Sequence, residues 1–306
     1  MPIYPPPAPT LTGDVLTINR FLNDPTSVQR RLRELSDLRF ISDVLLSGRY
    51  EIEGGALSYE VSESIFAEDD PTAVSPGGTY PRTKVGEPAA AMASPTNWGE
   101  ETVVTDAAIK RRKMNPVERS LKKIANTVIK RVDTVSLAAI SAAVTQGVNE
   151  QAAWSNAAAY PFRDAMLAKA EITTLDEGYD PDILVMDDNS YALMVSNEKV
   201  VAGLARESGN TVTSEGEVLV IAGLKLLQTS RLPSGVTRMV LDSTQLGGLG
   251  YENLDSPEFT GSSADGVESR VRRDPSGADQ WLLAGRRSVV PIVQEPGAAC
   301  EIGTGF

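Results

Sequence analysis

Residues Asn115–Thr145 read NPVERSLKKIANTVIKRVDTVSLAAISAAVT. Val117, Leu121, Ile124, Val128, Val132, Val135, Ala139 and Ala142 recur every three or four positions, the period of one apolar helix face. Asn115 has the chemistry of an N-cap, Pro116 sits where a missing N–H costs nothing, Glu118 completes a capping-box-like start and Gly147 supplies a stop. The spacing predicts one helix over about 115–146, a rod of roughly 45 Å at 1.5 Å per residue. Such a rod needs a sheet to cover its apolar face.

Working outward, Lys110–Arg131 holds nine bases and one acid, a local net of +8 in a chain whose total is 29 − 41 = −12. This run is read as a solvated helix face that meets acids of a neighbouring chain. A nucleic-acid face is the weaker reading, because no aromatic residue is interleaved to stack on bases and the whole chain is acidic. The complement lies upstream, where Glu51–Asp70 holds seven acids and no base. There Leu57, Tyr59, Val61, Glu63 and Ile65 alternate with Ser58, Glu60, Ser62 and Ser64, which predicts a half-exposed strand. Asp70-Pro71 and Ser75-Pro76-Gly77-Gly78 break it before Tyr80-Pro81-Arg82. A two-stranded ribbon of this kind is marginal alone in water and needs another subunit to lie on.

Met1–Asp14 has four prolines in its first seven positions and reads as an extended arm. Asp24-Pro25 with Val28, Leu32 and Leu35 predicts a short helix near 25–36, and Arg39–Ser47 is a compact apolar segment. Ala89–Trp98 is read as a linker and Glu101–Ala107 as a short strand. Downstream the texture becomes α/β: helices at Phe162–Ile172 and Ser190–Glu207, strands at Asp182–Met186, Glu217–Ile221, Leu224–Thr229 and Thr237–Leu241. Val267–Arg272, Trp281–Ala284 and Ser288–Val293 are closing strands able to cover the long helix.

Composition removes much of enzymology. The chain has no histidine, which excludes histidine triads, His-ligated zinc and imidazole bases. Its one cysteine, Cys300, closes no intrachain disulfide and reads as a small buried apolar residue. Neither a dinucleotide fingerprint nor a phosphate loop occurs, and Gly247-Gly248-Leu249-Gly250 reads as a mobile loop. Asp180, Asp182, Asp187 and Asp188 lack the spacing of a calcium loop and read as turn residues. No segment approaches a membrane span and the start lacks the features of a signal peptide, so a cytoplasm-like setting is expected. An arm, a ribbon and a rod that all want partners, beside a compact acidic α/β unit, are the shape of a shell subunit.

The order of segments resembles the major capsid proteins of tailed bacteriophages, whose fold is named after the phage Hong Kong 97. Residues 39–82 (RFISDVLLSGRYEIEGGALSYEVSESIFAEDDPTAVSPGGTYPR) resemble that family's extended E-loop, and 97–145 its strand and spine helix. YDPDILVM (179–186), IAGLKLLQTSRLPSGVTRMVLD (221–242) and RRSVVPIVQEPGAA (286–299) resemble its axial domain and closing strands.

The resemblance implies an α+β Hong Kong 97-type fold, without cofactor or catalysis. It divides the chain into N-terminal arm and short helix (1–48), E-loop (49–84), peripheral domain with spine helix (85–160), axial α/β domain (161–260) and closing strands (261–306). It implies pentamers and hexamers forming an icosahedral head around double-stranded DNA, assembled in the host cytoplasm, with no membrane. The expected partners are other copies, a separate scaffolding protein and a portal, with a cement protein as an optional addition. The acidic balance would suit a container past whose wall DNA slides.

Residues 51–83 hold no lysine and Lys84 lies at the loop's base, so an E-loop isopeptide crosslink is not expected. Charge complementarity selects Glu68, Asp69 and Asp70 of one subunit against Arg111, Arg112 and Lys113 of another as candidate contacts. The alternatives are an encapsulin-like compartment shell and, in a different class, a soluble acidic α/β enzyme using a carboxylate pair or a bound cation.

Overall fold

A computed structural model describes residues 15–35, 40–62, 64–84, 86–200 and 220–303. The proline-rich stretch 1–14 lies outside the described residues, as does 201–219, where the later part of the Ser190–Glu207 helix and the start of the Glu217–Ile221 strand were expected.

In chain order the elements are α1 Val15–Leu22, α2 Pro25–Leu35, α3 Ser42–Leu45, β1 Gly48–Glu51, β2 Leu57–Val61, β3 Ala89–Ala93, β4 Thr96–Thr105, α4 Asp106–Arg112 and α5 Asn115–Ala143. They continue with β5 Gly147–Asn149, α6 Pro161–Thr174, β6 Ile183–Met186, α7 Asp188–Ser196, β7 Val220–Ile221, β8 Leu224–Gln228, β9 Arg238–Leu241, β10 Gly247–Tyr251, β11 Glu268–Arg273, β12 Gln280–Val293 and β13 Ala299–Gly303.

Strand β12 organises the first sheet. Its residues 280–289 pair antiparallel with β4, residues 281–286 also pair with β11, and residues 289–293 pair with β10, which in turn pairs parallel with β1. Helix α5 lies on this sheet and buries Val117, Leu121, Ile124, Ala125, Val128 and Val132 against Val104, Leu283 and Val289. The approach is close at Gly285, where a Cβ would stand 2.5 Å from the Ile124 Cγ2 atom. The second sheet runs β5-β13-β9-β6-β8-β7, with α6 and α7 packed through Ala168, Ile172 and Met194 around Leu184, Met186 and Val240. Between the sheets, Leu137 and Ile140 of α5 meet Leu45, Leu46, Met239, Leu249 and Val293 in a third apolar cluster. The rod is therefore a shared wall: its first half closes one core and its last turns close another.

Several expectations are corrected. Asn115 is not the N-cap of α5: it is already helical, Met114 takes the cap position without a side-chain bond, and Glu118 pairs with Arg31 at 2.7 Å instead. Lys113, at φ 56°, makes the break from α4, so the chain needs no side-chain cap there. The helix ends at Ala143, and Gly147 belongs to β5. Ala89–Trp98 is not a linker but β3 and the start of β4, because pairing with β2 and β12 supplies the order that a weak pattern does not. Trp281–Ala284 and Ser288–Val293 form one strand, since Gly285, Arg286 and Arg287 continue the ladder between them.

Gly247–Gly250 is not a mobile loop but the buried strand β10, and its glycines serve close backbone approach. A Cβ on Gly248 would stand 2.5 Å from the Gly48 carbonyl, so the β1–β10 pair admits no side chain there. The helix expected from Ser190 starts at Asp188, where Asp187 accepts from the Ser190 N–H at 2.9 Å, and it breaks at Asn197. The strand expected through Ile65 stops at Val61, with Ser62 at φ 55°.

Candidate inter-subunit surface

Among the described residues, ribbon β2–β3 is anchored to the rest of the chain at its root and again at residues 62–65. Ile52 is buried, the Tyr50 hydroxyl donates to Gln294 Oε1 at 2.6 Å, and Gly54 and Gly55, at φ 80° and 81°, turn the chain outward. Five residue pairs, Leu57↔Ala93 to Val61↔Ala89, then hold the two strands together. Past them the Ser62 N–H donates to the Gln294 carbonyl at 2.9 Å, and Glu177 accepts from the Ser64 hydroxyl and the Ile65 N–H at 3.1 and 2.9 Å. From there to 88 no described residue is buried. The remaining order is local: Glu68 N–H to the Lys84 carbonyl at 3.3 Å, Asp69 N–H to Thr83 Oγ1 at 3.2 Å and a turn closed from Gly78 N–H to the Ser75 carbonyl at 2.8 Å.

This poorly supported segment carries apolar side chains into water. Ile65 is 64% exposed, Phe66 57%, Tyr80 80% and Met92, on β3, 76%. Monomeric soluble proteins avoid concentrating such groups on one projecting element, and where they occur they mark contact surfaces. Each large side chain gains about 1.5–3 kcal/mol on full burial, and within this chain that gain is not collected.

The candidate acids Glu68, Asp69 and Asp70 are all exposed on this ribbon, and Arg111, Arg112 and Lys113 are exposed at the junction of α4 and α5. Among the described residues no ion pair joins the two groups within the chain, and none engages these bases with any other acid. The two charge sets thus sit on separate elements, each without a described intrachain counter-ion.

Helix α3, which leads into β1 ahead of the ribbon, is by contrast fixed by buried charges that the sequence pattern did not reveal. Asp133, fully buried on α5, accepts from the Ile41 and Ser42 N–H groups at 3.2 and 3.0 Å, from the Ser42 hydroxyl at 2.8 Å and from Arg231 of the second-sheet region. One step along, Arg287, 1% exposed, donates to Asp43 at 3.0 Å and to the Ser263 carbonyl at 2.9 Å and lies over the Phe40 ring at 3.9 Å. Burial pulls the Arg287 guanidinium below its ordinary pKa while Asp43 opposes that loss. Such a pair is costly to break, because the surviving charge stays desolvated. The available signal was Asp133 itself, an acid placed beside Val132 and Ser136 on the apolar face of a helix.

Other titratable groups are structural. Burial pushes the Cys300 thiol up to about 12, so it stays a protonated apolar filler. Burial likewise raises the Glu301 carboxyl, against the bond it accepts from the Ser141 hydroxyl. Of the four aspartates tested for a cation, Asp182 binds Ser243, Asp187 caps α7, Asp180 pairs with Lys169 and Asp188 accepts from Gln228. Among the described residues no three acids or cysteines converge as metal ligands.

Three apolar clusters, a rod shared between two of them and a ribbon whose exposed apolar side chains no described residue covers are the features of a subunit that docks on others. Residues 89–302 match the phage capsid protein family, and the chain belongs to it. No curated protein matches the chain by sequence. Solved structures similar to it include the capsid of cyanophage P-SCSP1u, at 15% identity and TM-score 0.59 over 88% of this chain and 89% of that one. The mature capsid of bacteriophage PhiM1 is similar at 12% identity and TM-score 0.59, over 88% of each chain. The holo-SrpI encapsulin complex of Synechococcus elongatus PCC 7942 is similar at 13% identity and TM-score 0.57, over 88% of each.

The fold is thus of the Hong Kong 97 type, and the protein is a structural subunit that self-assembles into a phage shell, placing it in the virion capsid. The encapsulin resemblance is one of fold, and family membership favours the phage shell over the compartment reading.

Proposed function

We propose that the subunit closes an icosahedral head as pentamers and hexamers, with residues 49–84, which the return strand β3 follows, acting as an E-loop that lies across a neighbouring subunit. The observation that carries this is the exposure of Ile65, Phe66 and Tyr80 on a segment held by five strand pairs, by bonds from residues 62–65 to Gln294 and Glu177, and beyond them by local bonds. In this reading Glu68, Asp69 and Asp70 meet Arg111, Arg112 and Lys113 of the neighbour. Ahead of the E-loop α1, α2 and α3 form the entry segment, followed after it by the peripheral domain with the spine helix at 85–160, the axial domain at 161–260 and the closing strands from 261. The strands of that last segment serve both sheets, β11 and β12 the first and β13 the second, which suits a tie between domains.

The shell encloses double-stranded DNA, carries out no catalysis and is assembled in the host cytoplasm with a separate scaffolding protein and a portal, a cement protein being an optional addition. Repeated heterologous contacts between identical subunits close such a shell. Burial is completed only when neighbours arrive, so stability is collective. The test is negative-stain microscopy with sedimentation on the purified protein, alone and with its scaffold. Closed shells, or free pentamers and hexamers, are expected. A subunit that stays monomeric under both conditions contradicts the reading.

A further inference from the structure

Most described arginines of this chain are already committed to an acid. Arg31 meets Glu118 and Arg286 meets Glu268, both at 2.7 Å, Arg270 meets Glu101 at 2.5 Å and Arg287 meets Asp43 at 3.0 Å. The basic run of 110–131 departs from this. Arg131 lies over the Trp98 ring at 4.6 Å and Lys122 has a partner, but Lys110, Arg111, Arg112, Lys113, Arg119, Lys123 and Lys130 form no ion pair with any described residue. Four of these seven occupy the α4–α5 junction, where three ribbon acids of a neighbour are their proposed complement. Arg119, Lys123 and Lys130 are left over.

These three are exposed and stand at i, i+4 and i+11 of α5. At 100° per residue they fall within about 40° of one another, along about 16 Å of helix axis. They border a groove of about 680 Å3 between α5 and β4, which pairs on one side only, with β12. Ser120 and Thr127 line the groove beside the bases, Ile124 is its one apolar residue and Glu100 its one acid.

We propose that this stripe contacts the phosphate backbone of double-stranded nucleic acid and, resting on the shell reading above, that the α5 face therefore lines the shell interior. Cationic side chains mixed with hydroxyls are the chemistry of backbone contact, and they carry no sequence information. One strand presents a phosphate per about 3.4 Å of duplex axis, so a 16 Å line of bases follows several of them. A single strand is disfavoured because the groove has no aromatic platform. An acidic peptide is disfavoured because Ile124 is buried and the groove offers no apolar anchor for a hot spot. The net charge of −12 does not oppose the contact locally. Seven acids without a base lie in 51–70, and sixteen acids against seven bases in 163–258. Three bases per subunit, with Glu100 beside them, make a weak and salt-labile contact that leaves a packaged genome free to slide.

The test is the anisotropy of a labelled duplex titrated with purified subunit between about 50 and 200 mM salt. Neutralising the stripe (Arg119→Gln, Lys123→Gln, Lys130→Gln) should weaken binding about tenfold at low salt and flatten the salt slope by roughly 2.7, three contacts at about 0.9 each. The charge-keeping set Arg119→Lys, Lys123→Arg, Lys130→Arg should bind as the parent does, which separates lost charge from lost fold. No duplex binding, an unchanged slope in the neutralised variant, or a poly-glutamate peptide that binds the stripe where duplex does not would each overturn the proposal. Closed shells that bind added duplex through these bases would overturn the interior assignment. Failure to form shells overturns the shell reading itself, whereas the duplex titration reports on the stripe either way.

Discussion

Helix α5 and ribbon β2–β3 are built on opposite terms. The helix buries eleven residues inside its own chain and touches all the structure it needs. The ribbon, from Ser62 to Pro88, buries none of its described residues and holds Ile65, Phe66 and Tyr80 in water. The first is stable because of the fold; the second makes sense only through contacts outside it. One chain therefore carries two kinds of information, one for its own core and one for a surface it does not possess.

The helix side breaks hardest at Asp133. Asp133→Leu leaves Arg231, the Ile41 and Ser42 N–H groups and the Ser42 hydroxyl without their acceptor. Breaking a buried pair from one side costs about 3–5 kcal/mol, so denaturant unfolding should show a large fall in midpoint or no soluble subunit at all. Next comes Gly248→Ala, whose Cβ meets the Gly48 backbone at 2.5 Å. Overpacking of this kind costs about 1–3 kcal/mol, and the same unfolding measurement reads it.

On the ribbon side the order of effects reverses between subunit and shell. Ile65→Ser with Phe66→Ser should leave subunit stability within about 0.5 kcal/mol, as exposed sites do, yet abolish shells in sedimentation. A destabilised subunit would show that the ribbon packs on its own chain. Smaller still is charge reversal at Glu68, Asp69 and Asp70 to lysine, which should slow assembly at low salt and lose that effect as salt screens the pairs. Assembly unchanged at every salt concentration contradicts the Arg111, Arg112 and Lys113 pairing.

The smallest change expected is at Glu301. Burial raises its folded-state pKa above the ordinary 4.5, so its contribution is fully present below pH 4.5 and is lost as pH rises through the folded value. Glu301→Gln, which keeps a partner for Ser141, should therefore match the parent at acid pH and be slightly more stable at neutral pH. Unfolding curves at the two pH values decide it.

The same contrast governs what the sequence reveals. The α5 face is legible because the helical period is local, and its six periodic apolar positions from Val117 to Val135 hold the register without outside help. Strand β10 is not, because Gly247-Gly248-Leu249-Gly250 has no pattern until Gly48 and Ile292 lie beside it. Strand β3 is hidden in the same way by the alanines of 89–91, which gain order only from pairing with β2. The ribbon acids and junction bases are visible as composition, but Asp133 and Arg287 become a buried network only once α3, α5 and β12 converge. Local periodicity is written in sequence, whereas convergence of distant backbone is not.

Beyond residue 65 the ribbon lacks its stabilising surface until another copy arrives. Hydrogen exchange over residues 64–84, compared between free subunit and assembled shell, tests it most directly. Fast exchange is expected in the free subunit and strong protection in the shell, with the amides of α5 protected in both. Equal protection of the ribbon in the two states would contradict it.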